Sequence, residues 1–539
     1  MKPKPPRGST PAPDHIMLSL NGDVKTRRTV TWRTSEEITQ GYALYWEIGS
    51  QEISRQDSVT GLFESDIDTS MMHWAHLSGL KPGTSYEYTC GDDIHRKGPF
   101  QFTTAPEEIT KFKFICIADQ QKGEPFDLPD YSVLNAYLKL LLEEHPDCAF
   151  ILTGGDNTDC GQHEQQWNAL FDSGLQGVVE GMPFMMCLGN HDNRGFRESY
   201  REGKGRYYSE PGEFWQKQFG GSYPDNGPEG WKAENYIFTY GNAQFNFIGL
   251  TGDEERNSWL LETVGQSKAQ WKLGVWHFPV CYTGADMERN DYPPLQAGME
   301  CFDLIFEGHE HAFGRSFPMK DDALFERPSQ GTIHYELPNS HRNPPPPAQT
   351  VPKVWNAAYF AHEEPLSAAT IVEIEGPRMT LTSILEDGRI FDQCAIDKEN
   401  DLVLPRQLPP YFRSTRMMYK GMDLGLIAQD FPCEQRDGTW FAPLAILVTC
   451  IGGLAEMTPG KVKLEAYDCW AEFTEGSDVA KTDWRDLKLP APVYRGSRGQ
   501  LYIPVQGCEP LGMAWKYIAE NNFMSFEHPS EDHPMQTQP

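Results

Sequence analysis

Five short clusters of oxygen- and nitrogen-bearing side chains lie along the chain, each just after an apolar run. The first is Ala118-Asp119-Gln120-Gln121 and the second Gly154-Gly155-Asp156-Asn157-Thr158-Asp159. Gly189-Asn190-His191-Asp192, Trp276-His277-Phe278-Pro279 and Gly308-His309-Glu310-His311 follow. Carboxylates, amides and imidazoles without thiolate suit Fe, Mn or Zn. One shared carboxylate can bridge two cations roughly 3.5–4 Å apart, and water between such ions becomes a nucleophile near neutral pH. The same cations offset the charge that builds on phosphoryl oxygens.

The runs before the clusters predict the elements that must position them. Residues 112–118, 149–152, 184–188, 245–250, 273–276 and 304–306 are continuously apolar, as in strands buried on both faces. Residues 132–145 read as an amphipathic helix with Leu134, Leu138, Leu141 and Leu142 on one face. This alternation predicts an α/β domain over 110–395. Sites in open α/β sheets lie beyond the carboxyl ends of the strands, so all five clusters are expected on one edge. Pro344 to Pro347 must lie in a loop.

The flanking regions read differently. Residues 14–106 are all-β, with short β-branched and aromatic runs at 29–32 and 43–46. Within them, LSGLKPGTSYEYTCGDD (77–93) and FQFTTAP (100–106) resemble the end of a fibronectin type III-like sandwich. Residues 1–13 are Pro-rich and predict a disordered tail, and 396–411 predict a linker. Beyond it, 412–530 carry an internal repeat. TWFAPL (439–444) with Gly452 echoes QLYIPV (500–505) with Gly512, each half reading strand, Pro, helix, Gly. This resembles the stalk-type domain named after the N-terminal part of copper amine oxidases, and implies a small α+β domain with cell-wall or surface association.

Composition limits the functions available. At 539 residues the chain exceeds one core, so about two to four domains are expected. With 39% hydrophobic and 12% aromatic residues it can bury them. A net charge of −30 repels phosphate backbones and argues against bulk nucleic acid. No run approaches the roughly 20 apolar residues of a spanning helix. The stretch MKPKPPRGSTPAP lacks the apolar segment of a signal peptide, so either the chain stays inside the cell or a signal has been removed. Of twelve cysteines, Cys116, Cys148 and Cys187 fall at predicted core strands and read as small buried hydrophobes, while Cys433, Cys450, Cys469 and Cys508 are left open.

The five clusters in series resemble those of the calcineurin-like metallophosphoesterase superfamily. Within it, GHEHAFGRSFPM (308–319) is very similar to the last metal motif of the purple acid phosphatases. The resemblance spans about 16–398 and implies a four-layer αββα catalytic domain behind the N-terminal β-sandwich. It further implies that Asp119 and His311 ligate one metal, that Asp156 bridges, and that Asn190, His277 and His309 ligate the second. His191 would contact phosphate or protonate the leaving group, with Asn190 also beside the substrate. Two positions depart from the pattern. Gln121 stands where many members have His and is read as a ligand or near-ligand. Asp159 stands where purple enzymes have Tyr, which implies an Asp159–His191 dyad and no purple charge-transfer band.

Other residues have two readings. Arg315 could bind substrate or form a structural salt bridge. Arg194 could contact phosphate or be solvated. His163, His334, His341 and His362 read as structural or surface residues, and Trp167 as core. The expected activity is metal-dependent hydrolysis of phosphate esters, phosphomonoesters first, acting on a small molecule. The alternatives are a phosphodiesterase on cyclic nucleotides or glycerophosphodiesters, and an inactive surface-binding protein. The expected place is secreted or cell-surface, with the cytoplasm as alternative.

Overall fold

The computed structural model describes residues 7–122, 128–194, 212–231, 233–249, 254–281, 292–321, 323–342, 353, 355–361, 364–407, 409, 415–420, 422–424, 432–496, 499–519 and 523–528. The N-terminal domain is a sandwich of two four-stranded sheets. One is ordered Asp14–Ser19, Arg28–Ser35, Thr69–Leu77, Val59–Glu64, and the other Ser54–Asp57, Tyr42–Glu47, Ser85–Gly91, Arg96–Thr103. Val30, Trp32 and Leu77 from the first sheet meet Ala43, Tyr88 and Phe102 from the second. Seven of the eight residues of Arg28–Ser35 are nevertheless buried, on both faces. The reason is that the α/β domain covers the outer face: Thr31 Oγ1 lies 2.8 Å from Ser222 Oγ, and Leu18 N–H donates to Val179 O at 2.8 Å. Residues 7–13 are not loose as expected of a tail. Arg7 bonds Asp14 and Asn168, and Ser9 donates twice to Asp68. The rest of that expectation, 1–6, lies outside the described residues.

The α/β domain has two seven-stranded mixed sheets. The first runs Phe184–Met186, Cys148–Thr153, Lys111–Ile117, Ala368–Glu375, Arg378–Leu385, Ile390–Asp397, Leu402–Leu404. The second runs Tyr236–Tyr240, Ala243–Ile248, Trp271–Trp276, Leu304–Glu307, Ile333–Glu336, Phe313–Ser316, Asn356–Phe360. Aromatic rings lock the sheets together: Phe114 meets Phe245 at 5.2 Å and Phe150 meets Phe238 at 5.4 Å, both edge to face. Helix Ser132–Glu144 covers the first sheet, burying Leu134, Leu138 and Leu141 and donating from Tyr137 OH to Ile384 O. Helices Glu254–Thr263 and Tyr292–Met299 cover the second, contacting its strands through Gln244 and Thr332. The layers are therefore helix, sheet, sheet, helix.

The expected linker is in part sheet. Leu402–Leu404 pairs antiparallel with Ile390–Asp397, because Val403 registers opposite Ile396 and extends the first sheet by a hairpin. Residues 1–352 with 356–407 form one compact unit, so sandwich and α/β domain belong together. Pro344 to Pro347 and His362 lie outside the described residues.

The second unit, residues 353–355 with 408–539, is mostly β. Its two repeat strands, Thr439–Ala442 and Leu501–Pro504, pair antiparallel through Phe441–Pro504 and Ala442–Ile503. The first leads through Pro443 into helix Leu444–Cys450 and then Gly452 at φ +82°. The second leads into the 3-10 turn Val505–Leu511 and Gly512 at φ +76°. Pro510 inside that turn lacks the N–H an α-helix needs there. Leu447, Leu464, Phe473 and Ile503 share the core of this unit.

Candidate metal centre

The strands deliver the five clusters to one edge. Asp119 follows Lys111–Ile117, Asp156 follows Cys148–Thr153, Asn190 follows Phe184–Met186, His277 follows Trp271–Trp276, and His309 follows Leu304–Glu307. The chain must then turn sharply while keeping a side chain aimed inward. Asp119, Asp156, His309 and His311 all do so in the left-handed region, at φ +50°, +53°, +80° and +58°. That conformation is costly for residues with a Cβ and concentrates at functional sites. Adjacent glycines make the room: a Cβ on Gly189 would stand 2.1 Å from Asp156 Oδ1, and one on Gly308 2.8 Å from Asp119 Oδ2.

Two donor sets meet on one oxygen. Asp156 Oδ2 lies 3.2 Å from His277 Nε2 and 3.2 Å from Gln121 Nε2. On the first side, Asn190 Oδ1 is 2.9 Å from His277 Nε2 and 3.1 Å from His309 Nδ1. The ligand atoms of Asp156, His277 and His309 all lie within 4.8 Å of one another. His277 Nδ1–H donates to Gly154 O at 2.9 Å, which turns the Nε2 lone pair towards the cluster in the neutral ring. Burial pushes His309 down to about 3, a neutral imidazole, whereas at His277 burial is outweighed by Asp156 and Asp119, which raise it to about 9, so this corner favours positive charge. A bound cation would supply the positive charge that these acceptors favour, and two cis ligands on one ion are themselves roughly 3 Å apart. The donor set therefore fits a metal.

On the other side, Gln121 Nε2 donates to His311 Nε2 at 2.9 Å, and His311 Nε2 is 3.8 Å from Asp119 Oδ1. Both Asp119 oxygens accept from His309 N–H at 2.9 Å. Gln121 Oε1 is buried without a hydrogen-bond partner. A half-turn of the amide exchanges Oε1 with Nε2 and puts a lone-pair donor among Asp119, Asp156 and His311. This side fits a second metal, with an amide oxygen where an imidazole would bind more strongly.

His191 stands beside the pair. Its backbone N–H donates to Asp156 Oδ1 at 2.8 Å. Its Nδ1 lies 3.1 Å from Asp159 Oδ1 and 2.9 Å from Asp159 O, leaving Nε2 3.8 Å from Asp156 Oδ2. Burial opposes charge on this ring, but Asp156 and Asp159 outweigh it and raise it to about 9. Arg194 Nη1 is 3.3 Å from His191 Nδ1 and 3.8 Å from Asp159 Oδ1, in the same corner.

Arg315 does not reach this corner. It is buried and clasps Asp392 through Nε at 2.9 Å and Nη2 at 3.1 Å. Its strand, Phe313–Ser316, starts past His311; of its two readings, substrate contact and structural salt bridge, the structure shows the ion pair with Asp392. His334 is held by buried Glu307 at 2.7 Å, His341 stacks on Tyr131, and Trp167 is core. His163 lies 3.7 Å from Asp66. Cys116, Cys148 and Cys187 are buried thiols.

Sequence reasoning missed Asp192 and Asn157. Asp192 is buried and accepts from the backbone of Gly189, Asn157 and Thr158 and from Asn157 Nδ2, all between 2.8 and 3.0 Å. It ties the second cluster to the third. Burial raises it to about 7 despite these donors. The only signal was its place as last residue of Gly189-Asn190-His191-Asp192, where the metal-binding neighbours drew the attention.

Residues 13–104 match the purple acid phosphatase N-terminal domain, and residues 93–313 the calcineurin-like phosphoesterase family. Residues 93–313 thus carry a calcineurin-like phosphoesterase domain, preceded by a domain of the purple acid phosphatase N-terminal type. Purple acid phosphatase 15 of Arabidopsis thaliana is 23% identical over 46% of this chain and 50% of its own length. Acid phosphatase type 7 of Mus musculus is 22% identical over 58% of this chain and 73% of its own. The chain thus spans as little as half the length of the curated relatives it matches. The fold is shared with a solved purple acid phosphatase from yellow lupin (Lupinus luteus) seeds, at a TM-score of 0.58 and 16% identity over 72% of this chain and 74% of that one. A dinuclear metal centre is what similarity to this family implies. Among the described residues, no helix is long and apolar enough to cross a membrane.

Proposed function

We propose that this phosphoesterase hydrolyses small-molecule phosphate esters, phosphomonoesters first, at the edge carrying Asp156. The observation that carries the reading is Asp156 Oδ2, which lies 3.2 Å from His277 Nε2 of one donor set and 3.2 Å from the side-chain amide of Gln121 in the other. Asp119, Gln121, Asp156 and His311 would hold one ion, and Asp156, Asn190, His277 and His309 the other, from among Fe, Mn and Zn. Such ions supply positive charge against the phosphoryl oxygens and acidify a water for attack on phosphorus. His191 gives a proton to the departing oxygen while Asp159 holds its ring. Asn190 would also help to orient the ester.

Turnover of an aryl phosphate monoester against an aryl phosphate diester tests the reading. Faster monoester hydrolysis supports it; a diester faster by an order of magnitude or more makes the protein a phosphodiesterase instead. Kinship with purple acid phosphatases favours a secreted or cell-surface place, and the second unit would attach it to a wall or surface. Buried free thiols such as Cys116, Cys148 and Cys187 pull the other way, towards a reducing compartment. Fractionation of the native host decides between them.

A further inference from the structure

The loop bearing Asp159 is held from behind by helix Glu164–Ala169. Cys160 N–H donates to Gln166 Oε1 at 2.7 Å, and Trp167 Nε1–H donates to Gly161 O at 2.8 Å. Gly161 N–H in turn donates to His191 O at 2.9 Å. The fit at Gly161 is close, since a Cβ there would stand 1.6 Å from Asp192 O. The helix thus sets the loop, and the loop sets the backbone of His191.

The helix itself is gripped by the N-terminal sandwich. Arg33 is fully buried; it pairs with Glu164 and donates to Asn168 Oδ1 at 2.6 Å. Its other donors clasp Asp14 at 2.9 and 2.8 Å. Glu164 N–H donates to Asp66 Oδ1 at 2.9 Å, and His15 Nε2 lies 2.9 Å from Asn168 Oδ1 while its ring stacks on Phe171 at 4.5 Å. Burying such charges costs several kcal/mol of desolvation, and apolar packing would stabilise the contact equally well. A forked guanidinium matched to two partners on one helix adds a single register between the domains.

We propose that Arg33 is a positioning residue for the His191–Asp159 pair, so that the sandwich fixes where the proton donor stands. The inference rests on the phosphate-ester reading above. In that reaction the bond from phosphorus to the leaving oxygen breaks as water oxygen bonds to phosphorus. The leaving oxygen takes a proton from His191, which regains one from solvent. A basic alkoxide needs that proton, whereas a nitrophenolate leaves without it.

The test uses the full chain loaded with metal, and three variants: Arg33→Met, Glu164→Gln and Trp167→Phe, the last removing the N–H to Gly161 together with part of the buried ring. Each is assayed on an alkyl phosphate and on 4-nitrophenyl phosphate, with metal content measured alongside. The expected result is an alkyl-to-aryl kcat ratio at least tenfold below wild type, with KM and metal content unchanged. An unchanged ratio, whether both rates fall together or neither falls, overturns the proposal. If Arg33→Met does not fold, Glu164→Gln and Trp167→Phe decide it by the same ratio. A wild-type protein that cleaves neither ester overturns the phosphate-ester reading itself, and this inference with it.

Discussion

Asp159 holds His191 by two oxygens at once: Nδ1 of the ring is 3.1 Å from the carboxylate and 2.9 Å from the carbonyl of the same residue. The carbonyl alone can fix the tautomer, so the carboxylate is there to favour the charged ring. Asp159→Ala is therefore expected to lower kcat on an alkyl phosphate by about 10- to 100-fold, as loss of such supporting contacts does elsewhere. The aryl ester should suffer far less. Steady-state kinetics on both esters check this, and equal losses on the two would remove His191 from proton transfer.

Each set holds one neutral amide oxygen, but that of Gln121 stands beside a single imidazole, His311, while that of Asn190 stands beside two, His277 and His309, and imidazole binds these ions more strongly. Wild-type protein dialysed against a mild chelator should keep one equivalent of metal more firmly than the other. Gln121→His should raise retention towards two. Elemental analysis after dialysis reads the result. Two equivalents held equally by wild type would sink the prediction.

Arg315 offers a contrast between stability and catalysis. Its pair with Asp392 is buried, with side-chain exposures of 3% and 9%. Arg315→Met leaves that carboxylate unpaired and should cost about 3–5 kcal/mol of stability. KM for the ester should not move. Urea unfolding together with KM checks both halves, and a tenfold rise in KM on a fully stable variant would return Arg315 to the substrate.

His73 makes the sandwich acid-sensitive. It is buried against Trp32, bonded to Thr34 and Thr60, and burial pulls it from its ordinary 6.5 to about 4. A depressed pKa contributes stability that is present above 6.5 and is lost as pH falls through 4. The loss across that window amounts to about 3 kcal/mol. Thermal midpoints of wild type and His73→Gln at pH 7, 5.5 and 4.5 test it: the wild type should fall more steeply. Parallel curves would mean that His73 does not titrate against folding.

Much of the centre was legible from local pattern because each ligand sits where a buried strand must end. The apolar runs at 112–118, 149–152 and 273–276 became Lys111–Ile117, Cys148–Thr153 and Trp271–Trp276, and the turns after them bear Asp119, Asp156 and His277. What was illegible depends on partners far away in sequence. Nothing near Arg315 announces Asp392, and nothing near Arg33 announces Glu164. The edge strand Leu402–Leu404 was hidden by the prolines around it, which read as linker although the pairing needs only three residues. In the second repeat, strand and Gly512 followed the pattern, but Pro510 turned the expected helix into a 3-10 turn.

The left-handed turns at Asp119, Asp156, His309 and His311 bear on any attempt to transplant this centre. Copying the ligands onto the strand ends of another α/β protein would place the same chemical groups on backbones that point them elsewhere. The portable unit is each ligand together with its strained turn and the bare glycine that clears space for it, Gly189 for Asp156 and Gly308 for Asp119. A graft that keeps the acids and imidazoles but puts alanine at those two glycines should fold around a different, misaligned edge.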